Sequence, residues 1–180
     1  MEFKYPAEAL ESILKELRMG KDEFQKLSQS PLIPGGLQSL IDPKDLEQLS
    51  QNSDTAWLVL ELSLLSGSLG DWQKANEILT PILGKTDLFD EETTERVLLW
   101  RIRCLIESNE FSEAIGLCGT FTWSDGNQTH SNYLLGMAFD GLGMRDKAEL
   151  RYRAVASEDT NYLDVNQRLE SLSQNQKRGT

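Results

Sequence analysis

The sequence predicts an all-α protein built as a stack of helix–turn–helix repeats. Three observations predict it. Three short passages share one pattern: Gly70-Asp71-Trp72-Gln73-Lys74-Ala75, Asn109-Glu110-Phe111-Ser112-Glu113-Ala114 and Gly143-Met144-Arg145-Asp146-Lys147-Ala148. Each opens on a residue that tolerates positive φ and reaches an alanine five positions later, and each is flanked on both sides by an apolar segment long enough for a helix. The second and third alanines are 34 residues apart (148 − 114), and the first and second 39 (114 − 75). That range of periods belongs to stacked helical hairpins.

The elements follow in order. Pro6 suits the first position of a helix. Leu10, Ile13, Leu14 and Leu17 then recur at helical spacing up to Gly20, so a helix is expected over 7–19. A shorter one over 22–29 would turn Phe24 and Leu27 inward. Ser30–Gly36 holds two prolines and two glycines and breaks regular structure. A helical turn over 37–41 is expected next. Asp42-Pro43-Lys44-Asp45 then starts a helix that runs to about 50, with Asp42 as N-cap and Pro43 at its first position. Three hairpins follow: 54–68 with 71–83, 92–107 with 110–121, and 129–141 with 145–157. A last helix over 162–175 carries Leu163, Val165, Leu169 and Leu172 among polar residues and reads as a solvating cap. Domain limits are 1–53 for an N-terminal helical segment packed on the array, 54–162 for the three repeats, and 163–180 for the cap and a frayed tail.

The turns have a physical reason. A helix commonly ends on a residue in the left-handed region, which Gly and then Asn occupy most cheaply. Gly70, Asn109 and Gly143 fit that role. The alanine five residues on would sit where the two helices cross closest. Gly116 and Gly119 weaken the second helix of the middle hairpin by nearly ~1 kcal/mol each relative to Ala. The five extra residues between the first two repeats fall near Gly84–Asp90, and Thr122–Gln128 reads as a polar connection.

Composition narrows the function. With 39% hydrophobic and 26% charged residues over 180 positions, the chain has enough apolar material for a packed core and is not a disordered segment. The net charge is −11. It is concentrated in 54–127, where five Lys/Arg face thirteen Asp/Glu; residues 128–180 balance at seven each. Such a chain repels phosphate backbones, so a nucleic-acid partner is not expected. The acidic stretch around Asp87, Asp90, Glu91, Glu92 and Glu95 reads as a solvated loop, and it is also the place to look for a second contact surface. Two cysteines, Cys104 and Cys118, make neither a disulfide framework nor a metal set. The N-terminus lacks the pattern of a secretory signal, and no run approaches the roughly 18 apolar residues of a membrane helix. A cytoplasmic protein is expected.

The repeats resemble the tetratricopeptide repeat (TPR) family. The third, 129–162, carries Leu135-Gly136, Phe139, Gly143, Ala148, Tyr152 and the closing Asp159-Thr160-Asn161-Tyr162, with Thr160 where the family often has Pro. The first, 56–89, keeps Leu62, Gly70-Asp71-Trp72 and Ala75 but has Leu62-Ser63 for the small pair. The second, 95–128, keeps Asn109-Glu110-Phe111 and Glu113-Ala114-Ile115 but has Arg101-Ile102 for Leu-Gly. The resemblance implies a right-handed superhelical stack whose first helices line a concave groove. It places Trp57, Leu60 and Leu64 there from the first repeat, Arg96, Leu99, Arg103 and Ile106 from the second, and His130, Tyr133, Met137 and Asp140 from the third. The other place for Leu60, Leu64 and Leu99 is a core covered by the N-terminal helices. The family's carboxylate clamp is not matched, since Leu60 and Leu64 stand where its first residues would be. In overall plan the chain is similar to the translocator chaperones of bacterial type III secretion.

Chemistry is sparse. His130 is the only histidine. It cannot pair with another for a metal site, and Cys104 and Cys118 fall on helix faces that read as interior. There is no phosphate-binding glycine loop, since Gly67–Gly70 and Gly141–Gly143 end helices. Neither cofactor nor metal is expected. The function expected is a non-catalytic scaffold, adaptor or chaperone, holding another protein's peptide segment. The alternative is a structural subunit of a larger or self-associating assembly, such as a secretion or motility machine, with a homo-oligomer included. An enzyme reading would need a polar pocket around His130, Cys104 or Cys118.

Overall fold

The structure, a computed structural model, describes residues 51, 53–85 and 87–177. The helices expected over 7–50 and the break at Ser30–Gly36 lie outside the described residues. Among the described residues there are seven α-helices and no strand, so this part of the chain is all-α as expected. The chain divides into two compact units, up to Asp90 and from Glu91. The division falls at the end of the five extra residues, inside the span read as one array.

In the first unit, α1 (Ser53–Ser68) and α2 (Trp72–Leu79) form a hairpin. The mainly apolar α1 buries Ala56, Val59, Leu60, Leu64 and Leu65. From α2, Ala75, Ile78 and Leu79 are buried. The buried Ser63 hydroxyl donates to the Ala75 carbonyl at 2.7 Å, which satisfies a polar group in the core. The second helix ends earlier than the expected 83, at Leu79. Pro81 has no N–H to continue the α-helical ladder, and the chain tightens into a 3-10 turn over Thr80–Ile82.

The second unit has five helices: α3 (Glu91–Glu107), α4 (Phe111–Gly119), α5 (Asp125–Gly141), α6 (Arg145–Glu158) and α7 (Val165–Lys177). Helix α3 packs on α4 and α5, α4 on α5, α5 on α6, and α6 on α7. One core joins them, from Leu99, Ile102 and Leu105 through Leu134, Ala138 and Tyr152 to Val165 and Leu172.

The three hairpin turns are copies of one another. Gly70, Asn109 and Gly143 take φ of 87°, 63° and 71°. In each turn the positive-φ residue donates its N–H three residues back: Gly70 to Gly67 (2.9 Å), Asn109 to Ile106 (3.0 Å), Gly143 to Asp140 (2.8 Å). The next residue donates five back: Asp71 to Ser66 (3.1 Å), Glu110 to Leu105 (2.8 Å), Met144 to Phe139 (2.9 Å). This is the Schellman arrangement, which satisfies carbonyls the helix end would otherwise leave bare. Ala75, Ala114 and Ala148 are all fully buried, each donating to the residue just after the turn.

Around those alanines the packing is conserved in sum rather than in identity. Twelve residues before them stand Ser63, Ile102 and Gly136; four residues after them stand Leu79, Cys118 and Tyr152. The five side chains of these six residues are buried in the cores, and Gly136 is buried with them. Each pair matches a small residue with a larger one, and in the middle hairpin the sizes are exchanged. The middle hairpin thus carries its bulk on the first helix, at Ile102, where the third carries it on the second, at Tyr152.

The connection read as polar over Thr122–Gln128 is shorter than expected, because α5 begins at Asp125 rather than 129. Trp123 anchors it, buried with its indole N–H on the Cys118 carbonyl at 3.1 Å. Likewise α4 stops at Gly119 rather than 121, and α7 starts at Val165 rather than 162.

Candidate functional site

In the second unit the implied groove residues lie on α3 and α5. Spacings of three and four put Arg96, Leu99 and Arg103 on one side of α3, and His130, Tyr133, Met137 and Asp140 on one side of α5. The two sides adjoin: Arg103 Nη1 donates to Met137 Sδ at 3.4 Å. Each arginine also pairs within its own helix, Arg96 with Glu92 and Arg103 with Glu107, both at 2.5 Å. Their side chains stay 31% and 33% exposed. Asp140 and His130 are half-buried. Leu99, Tyr133 and Met137 are buried in the core. In the first unit Leu60 and Leu64 are buried on α1. Trp57 lies on α1, and its side chain is outside the described residues.

Tyr133 leads into a polar-aromatic cluster that ties α5, α6 and α7 together. Its hydroxyl donates to Asp164 Oδ1, just before α7, in a short hydrogen bond. Arg168, one turn into α7, donates from Nε to the same Oδ1 at 2.9 Å and to the Tyr133 oxygen at 3.2 Å. Its guanidinium lies over the rings of Tyr133 (5.6 Å) and Tyr152 (5.8 Å). The Tyr133 ring also meets Tyr152 and Tyr162, at centroid distances of 6.0 and 5.6 Å. His130 Nδ1 and the Tyr162 hydroxyl share a hydrogen bond of 2.6 Å.

The electrostatics describe a satisfied network. Burial opposes the Asp164 charge, but the bonds from Arg168 and Tyr133 hold its carboxyl below the usual range. Burial, with the hydrogen bond to Asp164, pushes the Tyr133 phenol up. Burial also pushes Tyr162 up to about 12. Burial and the nearby Arg103 charge bring His130 down to about 4, so its imidazole is neutral at pH 7.

A second device couples α3 to α5. The Glu95 carboxylate accepts from the Ser124 N–H (3.1 and 3.2 Å), the Ser124 hydroxyl (2.7 Å) and the Asn127 amide (2.6 Å). Burial works against the charge, and these bonds together hold Glu95 below its usual range. Glu95 therefore caps α5 from a neighbouring helix by accepting the Ser124 N–H, while the Ser124 oxygen accepts from the Asn127 side-chain amide (3.3 Å) rather than from a backbone N–H of its own helix.

Sequence reasoning did not single out Glu95 as a cap, nor Asp164 and Arg168 as partners of Tyr133. The i, i+4 spacing of Asp164 and Arg168 at a helix start was the available signal. The thiols of Cys104 and Cys118 are buried and shifted up, to about 12 and about 11, chiefly by that burial, which disfavours the nucleophilic thiolate. Among the described residues no group of three His, Cys, Asp or Glu is placed to hold a metal ion. No described helix is long and apolar enough to cross a membrane. Compared with protein-family models, curated proteins and solved structures, the chain matches none.

Proposed function

We propose that the chain is a non-catalytic protein–protein interaction scaffold of TPR-like repeats, working in the cytoplasm as an adaptor or chaperone. The observation that carries this reading is the α3–α5 surface at Arg103 and Met137. There a guanidinium one-third exposed rests on a thioether from the next helix. With Arg96 two turns before it, the surface presents two part-exposed guanidiniums, each also paired with a glutamate of its own helix, to the carboxylates of a passing peptide. The partner is a protein segment whose carboxylates meet Arg96 and Arg103. Leu99 and Tyr133 support that surface from beneath. Arg96→Glu with Arg103→Glu, read on a peptide array or by pull-down with mass spectrometry, tests it. The scaffold reading predicts loss of the captured partners, and retention of every one would remove the surface from consideration.

A second reading, a subunit of a larger or self-associating assembly, is favoured by exposed apolar side chains away from that surface. Leu142 and Met144 flank the third turn at 40% and 43% exposure, and Leu150 on α6 is 67% exposed. Light scattering over a concentration series checks it: a mass that rises with concentration, and returns to the monomer with Leu142→Ser and Met144→Ser, supports assembly through this edge.

A further inference from the structure

Helix α7 packs on the second unit through one stripe of side chains and through the Tyr133–Asp164 bond at its start. Val165 and Leu172 are buried, Leu169 packs against the core, and Arg168 fills the space between Tyr133 and Tyr152. These positions are i, i+3, i+4 and i+7, one stripe of a helix. The other face is wholly polar: Asn166, Gln167, Glu170, Ser171, Ser173 and Gln174 are all exposed.

The joint before α7 is strained. Leu163 has φ of 45°, in the left-handed region, and is 57% exposed. A leucine there carries a backbone cost that Gly or Asn would avoid, and it leaves an apolar side chain in water. The three hairpin turns use Gly and Asn for that conformation, so this joint departs from the chain's own practice. Strain of this kind in the closed arrangement favours opening.

We propose that α7 is a resident stand-in for a partner helix. The seat on α5 and α6 takes an amphipathic segment with aliphatic side chains at i, i+4 and i+7 and an arginine at i+3. The chemistry is read from what fills the seat in cis: Val165, Arg168, Leu169 and Leu172. The arginine is specified by two tyrosine faces and the Tyr152 hydroxyl, which accepts from Arg168 Nη1 at 3.4 Å. A partner helix that supplies the same four side chains displaces α7, which swings away about Leu163. The inference rests on reading the chain as a binding scaffold, but uses a seat apart from the Arg96–Arg103 surface.

Hydrogen exchange on the full chain, with a fluorescent peptide of residues 161–177 as probe, tests it. Under native conditions the amides of α7 are expected to exchange at least tenfold faster than those around Tyr152 in α6. Leu163→Asn keeps the turn at lower cost and slows α7 exchange about threefold. Leu172→Asp in the resident helix raises affinity for the wild-type peptide at least tenfold, and a peptide carrying Arg168→Gln loses that gain. Equal exchange of α6 and α7 in the wild-type chain overturns the proposal even if the Leu172 variant does not fold. So does a Leu172 variant that takes the peptide no better than wild type. A dimer with exchanged α7 helices also overturns it, giving the seat to a second copy. Arg103→Glu leaves exchange and peptide binding unchanged, so the two readings fail separately.

Discussion

The backbone of Gly136 lies against the ring of Tyr152: a Cβ on residue 136 would stand 2.5 Å from Cε1 and 2.6 Å from Cδ1. Tyr152 is fully buried and its hydroxyl is engaged by Arg168, so the ring has nowhere to go. Gly136→Ala therefore loses stability despite the better helix propensity of alanine. The expected loss is about 2 kcal/mol, net of roughly 1 kcal/mol gained from propensity. Tyr152→Cys alone leaves a cavity and costs about 3 kcal/mol. Gly136→Ile with Tyr152→Cys copies the Ile102–Cys118 pairing and is less destabilised than the sum of its singles by more than about 1 kcal/mol. Urea unfolding of the four proteins gives the coupling.

The third turn isolates a backbone effect. A Cβ at Gly143 would meet nothing within 4 Å, yet its φ is 71°. Gly143→Ala is expected to cost about 1–2 kcal/mol from conformation alone, and Gly143→Asn less than half of that. Equal loss for the two variants would show that something other than φ governs the site.

Glu95 sets an acid limit on the α3–α5 junction. A carboxyl held below its ordinary value of 4.5 contributes fully above that pH. The contribution drains away as pH falls through the lower folded-state value. Glu95→Gln is expected to cost about 1 kcal/mol at pH 7, since the group is partly solvated. It also flattens the stability–pH curve below pH 4.5. Thermal unfolding from about pH 3 to about pH 7, which brackets the ordinary glutamate range, compares the two proteins.

His130 gives a single-residue readout, being the chain's one histidine. Its folded value of about 4 lies below the ordinary 6.5, so the unfolded chain binds a proton that the native state refuses. Stability is full above pH 6.5 and falls with acid toward pH 4, by up to about 1.4 kcal/mol per pH unit. The imidazole carbon resonances should show no titration step near 6.5 in the folded protein. A normal midpoint there would mean that the imidazole is not buried beside Arg103 in solution.

Cys104 and Cys118 should resist alkylation in the native state. Their values of about 12 and about 11, against an ordinary 9.0, leave little thiolate at pH 8. Native labelling by iodoacetamide is expected to be at least ~100-fold slower than in denaturant. Rapid native labelling of either would show access the packed core does not provide.

The helices and their turns were largely legible because their signals are local. A positive-φ turn demands Gly or Asn at one position, so Gly70, Asn109 and Gly143 could be named outright. Helical periodicity marked Ala114, Ala148, Tyr152 and Val155 as interior for the same reason. The start of α5 was hidden because the Ser124 N–H that opens it is capped by Glu95, 29 residues earlier, and no local pattern reports that. The surface was only half legible. Periodicity puts Leu99 beside Arg103 and Tyr133 beside His130, but whether a neighbour covers them depends on contacts distant in sequence. Tyr133 shows the difficulty, since what covers it is Asp164 and Arg168 from beyond the last hairpin.

The exchanged sizes of Ile102–Cys118 and Gly136–Tyr152 bear on how such a chain can be rebuilt. Repeat proteins are often treated as strings of cassettes, but here the smallest piece that keeps its inner fit is the hairpin. Recombination that carried α6 into the place of α4 would set a tyrosine against an isoleucine. The reverse graft would leave a glycine facing a cysteine across a void. Whole hairpins can be duplicated, deleted or transplanted with their inner fit intact, whereas single helices cannot, and engineered or natural chimeras of this chain should break at the connections between hairpins rather than at the turns within them.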